Sequence, residues 1–155
     1  MIRLLLPLVP FGAARTRTRA FPTGRKGKGG RPVFSVQHFM DAKYRAWREE
    51  AMPHFLRVAP EAPLQGPLQL TLVIVNPSLS AAEKLKRFTP RAWHAVKPDG
   101  DNVTKAVLDC AEEAGWMLGD AQVCRTLVEK VRAAKGEPPS LSIIVKRLDV
   151  PYHLR

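Results

Sequence analysis

Asp99, Asp101 and Asp120, with Lys105 four residues beyond the second of them, are the residues whose types and spacing best fit chemistry. Carboxylate oxygens hold hard divalent cations. At sites of phosphoryl transfer such ions rest on one or two protein carboxylates, with water and substrate phosphate completing the shell. If the segment Lys97-Pro98-Asp99-Gly100-Asp101-Asn102 is extended, side chains two apart point the same way, and the spacing favours joint ligation of one cation by Asp99 and Asp101. A calcium loop counted from Asp99 fails, because its sixth position is Thr104 where Gly is needed and its twelfth is Cys110 where Glu is needed.

The element that must carry these groups is a helix. Asn102 or Asp101 can cap it, Val103, Ala106, Val107, Cys110, Ala111 and Ala114 form its apolar stripe, and Gly115 ends it. Lys105 then falls on the same side as Asp101. Two readings stand for it. Its ammonium can steady charge on phosphoryl oxygens or protonate a leaving oxygen; or it makes an ordinary pair with Asp101 or Asp109, worth about a few tenths of a kcal/mol. Asp109 divides likewise between that pair and a supporting, orienting role. A lone Asp-Xaa-Asp-Asn string also caps helices and makes turns.

The 155 residues, 45% hydrophobic and 25% charged, fit one domain spanning 1–155. A net charge of +11 makes a nucleic-acid backbone the expected partner. Cys110 and Cys124 are too few and too isolated for a secreted disulfide framework or a zinc cluster, which points to a reduced, cytoplasmic setting. Pro7 and Pro10, followed by Arg15, Arg17 and Arg19, make the opening Met1–Leu6 run a first strand in place of a signal peptide. No apolar run approaches the ~20 residues of a membrane span.

Residues 15–32, with Arg15, Arg17, Arg19, Arg25, Lys26, Lys28 and Arg31, read as a mobile basic surface loop. Its cations either neutralise phosphates or merely solubilise the chain. Phe21 and Phe34 flank it, to stack on a base or to anchor the loop. Ser35 is placed to cap a helix running to about Met52 through Val36, Met40, Tyr44, Trp47 and Ala51, with Pro53 closing it. Leu68–Val75 is a β-branched run expected as a central strand. The stretch 76–97 holds Lys84, Lys86, Arg87, Arg91 and Lys97, a second place for DNA contact. Trp47 and Trp116 are expected in the core, Trp93 outside it. The four histidines show no metal-ligand spacing, and Arg125 divides between phosphate contact and solvent.

Three blocks, Lys97 to Asp109, Ala114-Gly115-Trp116 and Gly119-Asp120-Ala121-Gln122-Val123, together resemble the RusA-type Holliday-junction resolvases. Asp99, Asp101, Lys105 and Asp120 match that family's catalytic pattern position by position. The resemblance implies a small α+β protein with a mixed β-sheet and two main helices, acting as a homodimer on branched DNA. It implies a Mg²⁺ site, with Mn²⁺ able to substitute, on Asp99, Asp101 and Asp120. Its expected activity is an endodeoxyribonuclease that resolves four-way junctions by paired symmetric nicks, leaving 5′-phosphate and 3′-hydroxyl ends. It also implies that Val123–Val131 and Leu141–Leu148 close the fold as a hairpin. Gly119 departs from the pattern, since many members carry another Asp there. Two other functions remain open at this point: a basic DNA-binding module whose carboxylates are only caps, and a metal-dependent nuclease of flap or general branched-DNA specificity.

Overall fold

Nearly every position of Leu68–Asn76 is apolar or β-branched, the pattern of a strand covered on both faces. In the computed structural model, which describes residues 1–13, 17–77 and 90–148, this run is the central strand β4. Leu68, Leu70, Leu72 and Ile74 are fully buried. The other strands of its sheet are β1 (Ile2–Leu6), β5 (Ala92–Trp93), β6 (Val123–Arg132) and β7 (Ser140–Arg147), in the spatial order β1-β7-β4-β6-β5. Only β4 and β6 run parallel; the remaining pairs are antiparallel, so the sheet is mixed.

Alternation sets which face is inside. Ile2, Leu4 and Leu6 of β1 and Leu141, Ile143 and Val145 of β7 join the alternate leucines of β4 in one core cluster. Helices α1 (Ala42–Arg57) and α2 (Gly100–Glu113) contribute Tyr44, Trp47, Ala51 and Phe55, and Val103, Ala106, Val107, Cys110 and Ala111. The α2 stripe is the one its spacing predicts, and Gly115, at φ +75°, follows the C-cap as expected for a left-handed stop. Trp116 is wholly buried against Phe55, with ring centroids 4.9 Å apart, and its Nε1 donates to the Phe55 carbonyl at 3.0 Å. Trp93, 74% exposed, lies outside the core. The architecture is α+β, a mixed sheet with, among the described residues, two α-helices.

Three expectations need correction. The basic stretch read as a loop is largely a two-stranded antiparallel ribbon, β2 (Arg17–Lys26) and β3 (Pro32–Phe39), with a short 3₁₀ turn at Lys28–Gly30. Gly24, Gly29 and Gly30 have positive φ, which lets the chain reverse within a run of like charges. Because β3 reaches Phe39, Ser35 caps nothing. The cap of α1 is Asp41, whose side chain accepts from the backbone N–H of Lys43 at 2.9 Å and of Tyr44 at 3.3 Å. Pro53 lies inside this helix, which continues to Arg57. Finally, β6 and β7 do not form a hairpin. Both flank β4, because a strand buried on both faces needs a hydrogen-bonded neighbour at each edge.

Candidate active site

The backbone turns helical at Gly100, with Asp99 at the N-cap position in an extended conformation (φ −71°, ψ 138°). This differs from the expected extended run through Asp101, and from a cap at Asp101 or Asn102. The consequence is directional: Asp99 and Asp101 line different clefts on either side of the helix start. Asp99 makes no side-chain cap hydrogen bond, so its carboxylate is not doing the job its position would allow. Asp101 sits in the first helical turn, where the dipole favours an anion.

A cleft of about 500 Å³ between α2 and β6 brings Asp101, Lys105 and Asp120 together, beside Gly100, Thr104, Leu108, Thr126 and Val128. Asp120 opens a 3₁₀ turn, Asp120–Gln122, leading into β6. Gln122 fixes this turn: its Oε1 accepts from the Leu118 N–H at 2.7 Å, and its Nε2 donates to the carbonyls of Leu64 and Gly66, both at 3.1 Å. A glutamine two residues after the aspartate therefore holds the strand entry that presents Asp120. The neighbouring cleft, about 480 Å³, is lined by Asp99, Lys97, Pro98 and Asn102 with Pro10, Phe11, Gly12 and Ala13. Gly12 packs closely there: a Cβ would stand 3.0 Å from Asn102 Cβ, so a side chain would push Asn102 by a few tenths of an ångström.

The loop before α2 is held from the sheet. Lys130 of β6 donates from Nζ to the carbonyls of Val96 and Pro98, each at 2.7 Å. Nothing in the local spacing singled out Lys130, which lies 32 residues from Pro98. Lys105 Nζ donates to Asp109 Oδ1 at 2.9 Å, and that hydrogen bond, followed by Coulomb attraction to Asp109 and, after these, to Asp120, raises its pKa. The ammonium is accordingly charged at neutral pH while it faces the cleft.

Among the described residues, no three His, Cys, Asp or Glu side chains converge closely enough to hold a metal ion. Asp101 and Asp120 share one cleft open to solvent, and two carboxylates, with water and phosphate oxygens completing the shell, suit Mg²⁺.

The other cations divide. Arg25, Lys26, Lys28 and Arg31 are exposed around the ribbon turn, and Lys97 is exposed beside Asp99. Arg17 and Arg19 lie on β2. Arg91 is paired with Glu137, whose carboxyl is lowered to about 2 by that hydrogen-bonded guanidinium. Arg125 donates to Gln69 Oε1 at 3.2 Å. Arg15, Lys84, Lys86 and Arg87 lie outside the described residues. No described helix is long and apolar enough to cross a membrane.

A comparison with curated proteins found no match. A comparison with family models found one, described as Endodeoxyribonuclease RusA, over residues 7–146. That span takes in the sheet apart from β1 and the last residue of β7, both described helices, the ribbon and every candidate site residue, and the chain belongs to the RusA endodeoxyribonuclease family.

Proposed function

We propose that this protein is a Mg²⁺-dependent endodeoxyribonuclease that resolves four-way DNA junctions by paired nicks, working as a homodimer. The observation that carries the reading is the convergence of Asp101, Lys105 and Asp120 on one solvent-open cleft of a strongly basic member of this family. A two-fold assembly suits a substrate that is itself nearly two-fold symmetric and needs two cuts.

Asp101 and Asp120 would hold the cation, with Asp99 as the third acidic group from the adjoining cleft. The bound ion supplies Lewis-acid polarisation of the phosphoryl oxygen and a lowered pKa for attacking water. The chain's own groups do the rest. Lys105 places a positive charge beside the carboxylates, where charge builds on the phosphate in the transition state. The exposed cations of the ribbon, with Lys97, bind the DNA backbone and set its register on the site. A cap-only role for the carboxylates is disfavoured by Asp99, which occupies the N-cap position without capping.

The test is cleavage with Mg²⁺ of a synthetic four-way junction, a flap and a linear duplex by wild type, Asp101→Asn and Asp120→Asn. The expected outcome is paired nicks near the crossover, and a loss of at least about 10²-fold in rate for either variant, given the several kcal/mol a metal contributes. Junction affinity should be retained. Junction binding without cleavage by the wild type would leave only a DNA-binding role, cleavage unchanged in both variants would take the site away from Asp101 and Asp120, and equal cutting of all three substrates would replace junction resolution with a general nuclease activity.

A further inference from the structure

We infer that Tyr44 is a positioning residue for the cleavage step, acting through Asp109 on Lys105. The inference deepens the reading of the cleft given above and rests on Lys105 being a working group there.

Asp109 has both carboxylate oxygens engaged. Oδ1 accepts from Lys105 Nζ at 2.9 Å, and Oδ2 accepts from the Tyr44 hydroxyl at 3.0 Å. A simple i,i+4 pair on an exposed helix face needs no third member. Here the carboxylate is pinned by a phenol that comes from another helix, 65 residues away in sequence. Tyr44 is itself immobilised: its ring is stacked with Phe11 on one side, centroids 6.3 Å apart, and with Trp47, 6.4 Å apart. The Arg48 guanidinium lies over the same ring at 5.8 Å and is paired with Glu113 on α2. Trp47 is fixed in turn by its Nε1, which donates to the Val9 carbonyl at 3.0 Å.

The direction of the Tyr44 contact is also settled. Burial, followed by the negative charge of Asp109, raises the phenol pKa, so the hydroxyl keeps its proton and is the donor. Only 4% of Tyr44 is exposed, whereas the Lys105 side chain is 63% exposed and reaches the cleft. A rigid core group thus terminates a short chain of hydrogen bonds whose far end is the flexible ammonium. Holding that ammonium in one place before substrate arrives removes a reorganisation cost from the chemical step. On this reading Tyr44 alters the rate without touching DNA.

The experiment is a double-mutant cycle on the full chain, using Tyr44→Phe, Lys105→Ala and the combined variant. Single-turnover junction cleavage, junction affinity and thermal unfolding are measured for each. Tyr44→Phe keeps the ring and removes one oxygen, so packing around it is preserved. The expected result is a loss of about 3- to 10-fold in cleavage rate, the size of coupling seen within one hydrogen-bond network, with unchanged affinity. In the K105A background the same substitution should cost nothing further. Equal losses in both backgrounds would show a general structural role and overturn the inference, as would a wild-type rate for Tyr44→Phe alone. A wild-type rate for Lys105→Ala would instead remove the role of Lys105 itself. Asp109→Asn provides an independent check: it should slow cleavage at least as much as Tyr44→Phe and also lose its effect in the K105A background.

Discussion

Lys130 reaches from the sheet to two carbonyls, those of Val96 and Pro98, immediately ahead of Asp99. A charged donor satisfying two carbonyls is worth more than a neutral hydrogen bond, so Lys130→Met should destabilise the protein by about 1.5–3 kcal/mol in urea unfolding. It should also slow junction cleavage, because the start of α2 loses its tie to β6. An unchanged unfolding midpoint would mean that water replaces the ammonium at no cost. Neither Lys130 nor Tyr44 was legible as a support in the sequence, since each acts across 32 or more residues and only tertiary packing brings the partners together. Lys105 was legible, because four residues from Asp101 is one helical turn and the helix formed as its stripe dictates. The start of α2 was misplaced by one assumption about the backbone, which turns helical already at Gly100. Every one of Asp99, Asp101 and Asn102 is a good cap, and local chemistry does not rank them.

The elements divide along the same physical line. Strand β4 and the apolar stripe of α2 follow from patterns internal to each segment, and both formed as read. The misread start of α1 arose because Val36 and Met40 happen to continue the spacing of Tyr44 and Trp47, although Val36 belongs to β3 and the helix starts only at Ala42. The real start signal is Asp41, which accepts two backbone N–H groups. Asp41→Ala should therefore cost about 1 kcal/mol, read as a lower urea midpoint with an unchanged slope. An equal midpoint would assign the cap to solvent. The ribbon was obscured by composition: glycine and like charges at its turn disfavour a packed core, while the alternating Arg and Thr of β2 and the Val33-Phe34-Ser35-Val36 run of β3 carry the strand signal. Pairing of β6 with β4 was not foreseeable from adjacency, because the chain passes through α2 between them.

At the scale of the molecule, the net charge of +11 is unevenly displayed. The ribbon strands pack chiefly against each other and present Arg25, Lys26, Lys28 and Arg31 around their turn, with Phe34 55% exposed nearby. Replacing those four cations by Gln should weaken junction binding and flatten its dependence on salt, by about 0.9 in log–log slope for each phosphate contact removed. The single-turnover rate at saturating protein should stay near wild type. A slope that does not change would place the DNA on another face. The ribbon joins the rest of the chain at two roots. On one side the chain comes from Ala13, whose N–H donates at 2.8 Å to the carbonyl of Asn102, next to Asp101. On the other it runs into Asp41 and, three residues later, Tyr44, the anchor of Asp109. The basic arm is thus framed along the chain by one tie to the first turn of α2 and another to Asp109 farther along it, so a substitution at either root is expected to disturb the helix that carries Asp101 and Lys105 even where the arm's own cations are untouched.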